Sequence, residues 1–297
     1  MSSYRLSCAE NQAVLDYLVE LILSQGTCPL FLNKLYLNNI FLGYLTSFVK
    51  ELIKKQESLL WIENSSDFQL RYHCWQELSL HLASFAQSLM SQGAYICHQF
   101  EYLDVIDYHG QVYGQLPYAI FRPLGLLGQT VRIHAYQVRN GLVYHHIAQR
   151  SENKHIYPGF WDNLVAGKVQ AGEISLQALK RESWEEACLI IDEKNVNFLN
   201  QYHQLRNLSV GVLHERLSIY TIAVPANFTP CNQDGEVAQF TQLPTAEIIE
   251  LIVNEKMMPD AALSWLLFAS KSNFIHSNEM VQYQLNRILS STIFYPN

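Results

Sequence analysis

The chain has 297 residues, 49% of them apolar, which suits one large domain or two smaller ones with a core that needs no disulfide or metal staple. A formal net charge of −7 weighs against binding nucleic acid through its phosphates and leaves room for a small phosphorylated ligand. Cys8, Cys28, Cys74, Cys97, Cys188 and Cys231 form no C-x-x-C pair, so reduced, mostly buried thiols in the cytoplasm are expected; the N-terminal "MSSYRLSCAENQ" has no apolar signal core and no run suits a bilayer.

Residues 10–24 carry helical periodicity through Val14, Leu15, Leu18, Val19, Ile22 and Leu23. "CPLFLNKLYLNNIFLGYLTSFVKELIKK" reads as strand, turn at Asn38-Asn39, strand, then a helix capped by Thr46. A strand near 59–62 and a helix over 73–93, stopped by Gly93, come next. "QVYGQLPYAIFRPLGLLGQT" is rich in Gly and Pro without clear periodicity, so it reads as a connection and divides the chain into 1–122 and 123–297. Beyond it, alternating runs flank Asn140-Gly141, a strong hairpin signal. "VNFLNQYHQLRN" and "ERLSIYTIAVP" are strand-like, "PTAEIIELIVNE" is an amphipathic helix, and further helices are expected near 259–270 and 278–291. This mixture indicates an α/β or α+β sandwich.

Between those strands, residues 176–187 suit a helix, with Ser175 placed to cap it. Glu182, Glu185 and Glu186 then share one face at i, i+3 and i+4. Their repulsion costs a few tenths of a kcal/mol per pair in water and more in a dry site. A divalent cation reverses that cost, and magnesium, with manganese as the alternative, is usually shared between carboxylates and substrate phosphates. The plainer alternative is a solvated acidic face.

Gly167, five residues, Glu173, seven residues, Arg181-Glu182, two residues, then Glu185-Glu186 is the spacing of the Nudix box, and the segment resembles that of hydrolases cleaving diphosphates linked to another group. "YPGFWDNLVAGKVQAGE" with the preceding "QRSENK", "VPANFTPCNQDGEVAQF" and "FLNKLYLNNIFLGYL" resemble the Nudix family related to thiamine pyrophosphokinase, whose members carry an extra N-terminal domain. The resemblance implies a Nudix α/β/α sandwich with a mixed sheet, preceded by a small α/β domain. It implies hydrolysis of thiamine diphosphate or its oxidised analogues to monophosphates, Glu182, Glu185 and Glu186 as metal ligands, and Glu182, Glu186 and Glu236 as catalytic residues, with Glu182 or Glu236 as the base. Arg181 and Glu173 match the pair that steadies the loop against the helix, and Gly167 opens the box. Ser183 stands where an aliphatic residue is usual, Cys188 where glycine ends the helix, and Lys168 where a second glycine is usual.

Outside the box, Arg150 and Lys154 are either diphosphate-neutralising groups or ordinary surface cations. Trp161 either stacks on a ligand ring or fills a core. Glu236 either adds a fourth carboxylate or joins Asp234 in a turn around Gly235. Asp162 and Asn163 read equally as loop-forming residues, and His145-His146, neighbours on one strand, point to opposite faces and read as structural. Tyr36, Phe41 and Tyr44, with Trp161, either wall part of a pocket for the organic group or fill their domain's own core. Two rival readings stay open: another nucleoside diphosphate derivative as substrate, and a binding module without turnover. The expected partner is a small-molecule diphosphate, with no nucleic acid and no membrane, and the oligomeric state is left open.

Overall fold

The computed structural model describes residues 32–64, 67–91, 101–154, 157–208, 211–233 and 235–272, together with Ser7, Ala9, Ala13, Val14 and Asp16. Most of the helix expected over 10–24, all of that near 278–291, and Cys8, Cys28 and Cys97 lie outside the described residues.

In the first unit, β1 (Asn33–Leu37) and β2 (Ile40–Leu45) pair antiparallel across Asn38-Asn39, whose φ values of 48° and 70° Asn tolerates better than most residues. The Thr46 hydroxyl accepts from the Val49 N–H at 3.2 Å and caps α1 (Ser47–Lys54). β3 (Leu60–Glu63) and β4 (Asp67–Arg71) complete a four-stranded sheet in the order β2-β1-β4-β3, covered by α2 (Trp75–Ser91). The stretch read as a bare connection contains a strand instead. β5 (Tyr102–Ile106) pairs with β6 (Val112–Pro117), and Leu103, Val105 and Leu116 enter the first core in spite of the glycines. A short helix α3 (Phe121–Leu124) follows, and Phe121, Leu124 and Leu126 bury in the same core.

The second unit is a sandwich around a seven-stranded mixed sheet. Its path is β11 (Val196–Leu208), β12 (Gly211–Ala223), β7 (Gly128–Arg139), β8 (Leu142–Arg150), β13 (Val237–Pro244), with β12 and β7 parallel. Asn140 and Gly141, at φ 50° and 80°, make the tight β7–β8 turn. Past Ala135 and His146 those two strands separate. β10 (Val165–Lys168) pairs with β7 and β9 (Trp161–Asn163) with β8 in the wedge so opened.

Alternation assigns the faces. Val131, Ile133 and Ala135 of β7 pack with Ala178 and Leu179 of α4 (Ser175–Ala187). The opposite face of the sheet, with Leu217 and Ile219, packs with α5 (Thr245–Val253) and α6 (Pro259–Lys271), whose Trp265 is fully buried.

His134 and His145 fill that second face, their ring nitrogens 2.9 Å apart, with Thr245 Oγ1 at 3.0 Å from His145. His146 points to the other face, against Phe228 and Gln242. Burial pushes His134 down to about 3 and His146 and His214 to about 4, and holds His145 well below its usual range. These rings stay neutral in the fold while the unfolded chain binds protons below about pH 6.5. Stability is therefore complete above that pH and drains as pH falls toward about 4. A fully buried ring loses about 1.4 kcal/mol by about pH 5.5. Thermal melts across this range should show a steep fall, and His145→Gln should flatten part of the slope while lowering the plateau.

Candidate functional site

The site forms where the wedge between β7 and β8 meets α4. Gly167, on β10, is the contact point. A Cβ there would lie 1.9 Å from Glu182 Cδ, so the missing side chain is the space that Glu182 fills. One turn on, Glu186 Oε2 accepts from the Ala166 N–H at 2.8 Å, which fastens the helix to the strand. Arg181 holds the rest: Nε and Nη2 meet the Glu173 carboxylate at 2.9 and 2.8 Å, Nη2 meets the Lys168 carbonyl at 2.9 Å, and Nη1 reaches Glu182 at 2.8 Å and Glu185 at 3.2 Å. The start of α4 differs from expectation. Ser175 is its first residue rather than its cap, because Gln177 Oε1 reaches back to the Ile174 N–H at 3.0 Å.

Burial pushes Glu182 up to about 7, with Arg181 pulling against it, and raises Glu186 well above the usual carboxylate range. Glu173 is held low by its hydrogen bond from Arg181. Two desolvated carboxylates side by side are costly unless a cation or a proton joins them. Among the described residues no three acidic or ligating groups converge on one point as placed, because Glu182 and Glu185 turn onto Arg181. In donor chemistry the set fits a hard divalent ion: carboxylate oxygens only, with Glu186 ion-paired to no cation among the described residues.

Ser183 is buried, its hydroxyl donating to the Leu179 carbonyl at 2.6 Å. Cys188 ends the helix at φ 52°, the left-handed conformation that glycine adopts most easily. That turn aims its side chain at Cys231, and the two form a disulfide with Cα atoms 5.4 Å apart, normal for such a bond. The expectation of reduced, buried thiols is overturned for this pair, and Cys74 is exposed, so the cysteines lend little support to a reducing compartment. The disulfide and the Gln233 N–H to Glu185 carbonyl bond (3.1 Å) fasten the segment after β12 to the end of α4. Glu236 lies on that segment and ion-pairs with Lys154.

A cavity of about 870 Å³ opens over these groups. Glu182, Glu185, Glu186, Glu236, Arg150 and Lys154 all line it, as do Gly167 and Arg181. Glu173 stands behind, on Arg181. Trp161 is not among the lining residues: its backbone bonds to Lys256 and Met258, and its side chain packs on the core under α6. Tyr36, Phe41 and Tyr44 also stay outside. They stack on one another and on Tyr108 and His214, where the first unit meets β12. Tyr44 is buried there, edge-on to Phe41 and His214, while Tyr36 and Phe41 are half-buried.

The opposite wall was missed from the sequence. Arg132 donates to Asp162 at 2.8 Å and Asp260 at 3.0 Å, and Asp162 also accepts from Arg150 at 3.2 Å. Asp162 is thus a buried anchor on β9, and its Oδ1 also accepts from the neighbouring Asn163 N–H at 2.8 Å. Lys168 ion-pairs with Glu215 and lies over the Tyr118 ring, 5.0 Å from its centre. Arg122 reaches the same cavity from α3, which packs so tightly that a Cβ at Gly211 would meet the Arg122 carbonyl at 2.0 Å. One signal was available: charged residues at inward positions of apolar alternating strands, as in "TVRIHAY" and "LHERLSIY".

Residues 139–263 match the family model of the NUDIX domain. This stretch is similar to a Nudix domain. The chain is 29% identical over 148 residues to Nudix hydrolase 24, chloroplastic, of Arabidopsis thaliana, covering 46% of this chain. It is 29% identical over 155 residues to Nudix hydrolase 20, chloroplastic, of the same plant, covering 49%. The matches span 38% and 39% of those relatives' own length. Among solved structures, DR0079 from Deinococcus radiodurans superposes with a TM-score of 0.45 at 21% identity, over 57% of this chain and 99% of its own. No described helix is long and apolar enough to cross a membrane.

Gly167→Ala should leave the fold intact and displace Glu182. We expect circular dichroism and melting close to wild type, with hydrolytic activity down about 100-fold; unchanged activity would show that Glu182 does not need that position.

Proposed function

We propose that this chain is a magnesium-dependent hydrolase that cleaves an organic diphosphate to a monophosphate, with thiamine diphosphate or its oxidised analogues as the substrate class. One observation carries the reaction type. Two desolvated carboxylates, Glu182 and Glu186, line a cavity of about 870 Å³ together with Arg150, Lys154 and Arg181. The substrate class rests on the likeness of "YPGFWDNLVAGKVQAGE" and its flanks to the thiamine-related family, and the division into 1–122 and 123–297 belongs to the same reading.

Glu182, Glu185 and Glu186 are the residues that would hold magnesium or manganese. Such an ion, when bound, polarises the diphosphate and lowers the pKa of water. The chain's own groups do the rest. A carboxylate oxygen of Glu182 or Glu236 takes the proton of the attacking water. Arg150 and Lys154 neutralise the diphosphate, Arg181 and Glu173 fix the angle between loop and helix, and Gly167 leaves the space for Glu182.

An assay with magnesium should release monophosphate from thiamine diphosphate or its oxidised analogues faster than from ADP-ribose or a dinucleotide. Chelation should stop it, and Glu186→Gln should cut it by about 100-fold while melting no lower than wild type without metal. Metal-independent turnover, or a fully active Glu186→Gln, would refute the reaction type. A preference for ADP-ribose would refute only the substrate class.

A further inference from the structure

We propose that Arg122 and Lys168, gathered around Glu215, form a subsite for a phosphate group of the substrate, separate from the face that carries the glutamates. The placement follows from strand alternation. The missing Cβ of Gly167 points at Glu182, so Lys168, the next residue, points to the other face of β10. There it pairs with Thr130 in register and reaches Glu215 on β12. Burial works against the charge of Glu215, yet Lys168, Arg122 and Arg132 hold its carboxyl down to about 2, so this cluster is fully ionised.

Arg122, Lys168, Arg132 and Arg206 line the cavity with Glu215, Asp260 and Glu101, and Asp162 stands behind Arg132, so the charges match while the hydrogen bonding does not. Two groups have capacity for an anion's oxygens. Thr130 Oγ1 and Arg132 Nε belong to residues only 7% and 8% exposed, both line the cavity, and neither atom meets a hydrogen-bond partner among the described residues. Guanidinium, ammonium and hydroxyl donors together suit the many acceptors of a phosphate. The ligand's identity rests on the diphosphate reading, but the subsite does not. The phosphate is either the terminal one of a monosubstituted diphosphate or one carried elsewhere on the organic group.

Binding comes first, on the full chain without metal, using inorganic phosphate as the probe and calorimetry as the readout. Saturable binding to wild type, weakened at least about tenfold in Arg122→Gln and kept in Arg122→Lys, is expected. No binding, or equal binding to Arg122→Gln, would overturn the subsite whatever the chain hydrolyses. Should Arg122→Gln fail to fold, the double variant Lys168→Met/Glu215→Met, which removes a pair without changing net charge, takes its place with the same expected loss. Kinetics then locate the phosphate through two matched pairs, ADP against ADP-ribose and NADPH against NADH. Loss of preference for ADP in the variant, seen in KM, assigns the terminal phosphate; loss of preference for NADPH assigns a phosphate on the organic group. If wild type hydrolyses all four and neither ratio moves, the proposal is wrong. If it hydrolyses none, the hydrolase reading fails and the calorimetry still decides the subsite.

Discussion

The guanidinium of Arg181 is the contact on which the site depends. It joins three pieces of backbone at once: the loop through Glu173, the strand end at Lys168, and the helix bearing Glu182 and Glu185. A lysine in its place has the charge but not the planar fork, so it cannot bridge carboxylate, carbonyl and a second carboxylate at once. Because Arg181 already engages Glu182 and Glu185, any cation reaching those carboxylates competes with it. The arrangement is a holding pattern in which repelling groups are kept close by a shared positive partner.

Around that centre, each departure from the usual box has a local structural answer. Ser183 returns its hydroxyl to the helix carbonyl behind it, which a buried hydroxyl must do to avoid a desolvation cost. Cys188 accepts a left-handed conformation and gains a covalent partner from it. The tether closes a loop of 43 residues, worth about 4 kcal/mol by the chain-entropy account, and holds the segment bearing Glu236 beside the helix end. Lys168 turns away from the glutamates and finds Glu215.

The parts legible in the sequence were those with short-range or fixed-spacing signals. The box positions, the Asn140-Gly141 hairpin, the Thr46 cap and the helix at 259–271 all rest on neighbours within a few residues. What escaped depended on distance along the chain. Cys188 and Cys231 meet only because β11 and β12 fold back between them. The β5–β6 pair hides behind glycines and a proline that break any periodicity. Arg132 and Asp260 pair across 128 residues, and a period-2 pattern marks Arg132 as inward without naming what it meets. Trp161 could not be sorted between ring-stacking and core from its own neighbourhood, since the deciding contact is the chain at 256–258.

The wall of the cavity is also a statement about modularity. The recognisable domain begins at residue 139, the last residue of β7, yet β7 is the middle strand of the sheet and carries Thr130 and Arg132. Tyr118 and Arg122 come from earlier still, out of a segment whose apolar side chains belong to the other core. The portable unit is therefore larger than the recognisable one. A graft of residues 139–263 onto a different leading unit would transplant the carboxylates together with Arg150, Lys154, Lys168, Arg181 and Arg206, and would leave behind Thr130, Arg132 and Arg122, so the cavity would lose the wall that those three build.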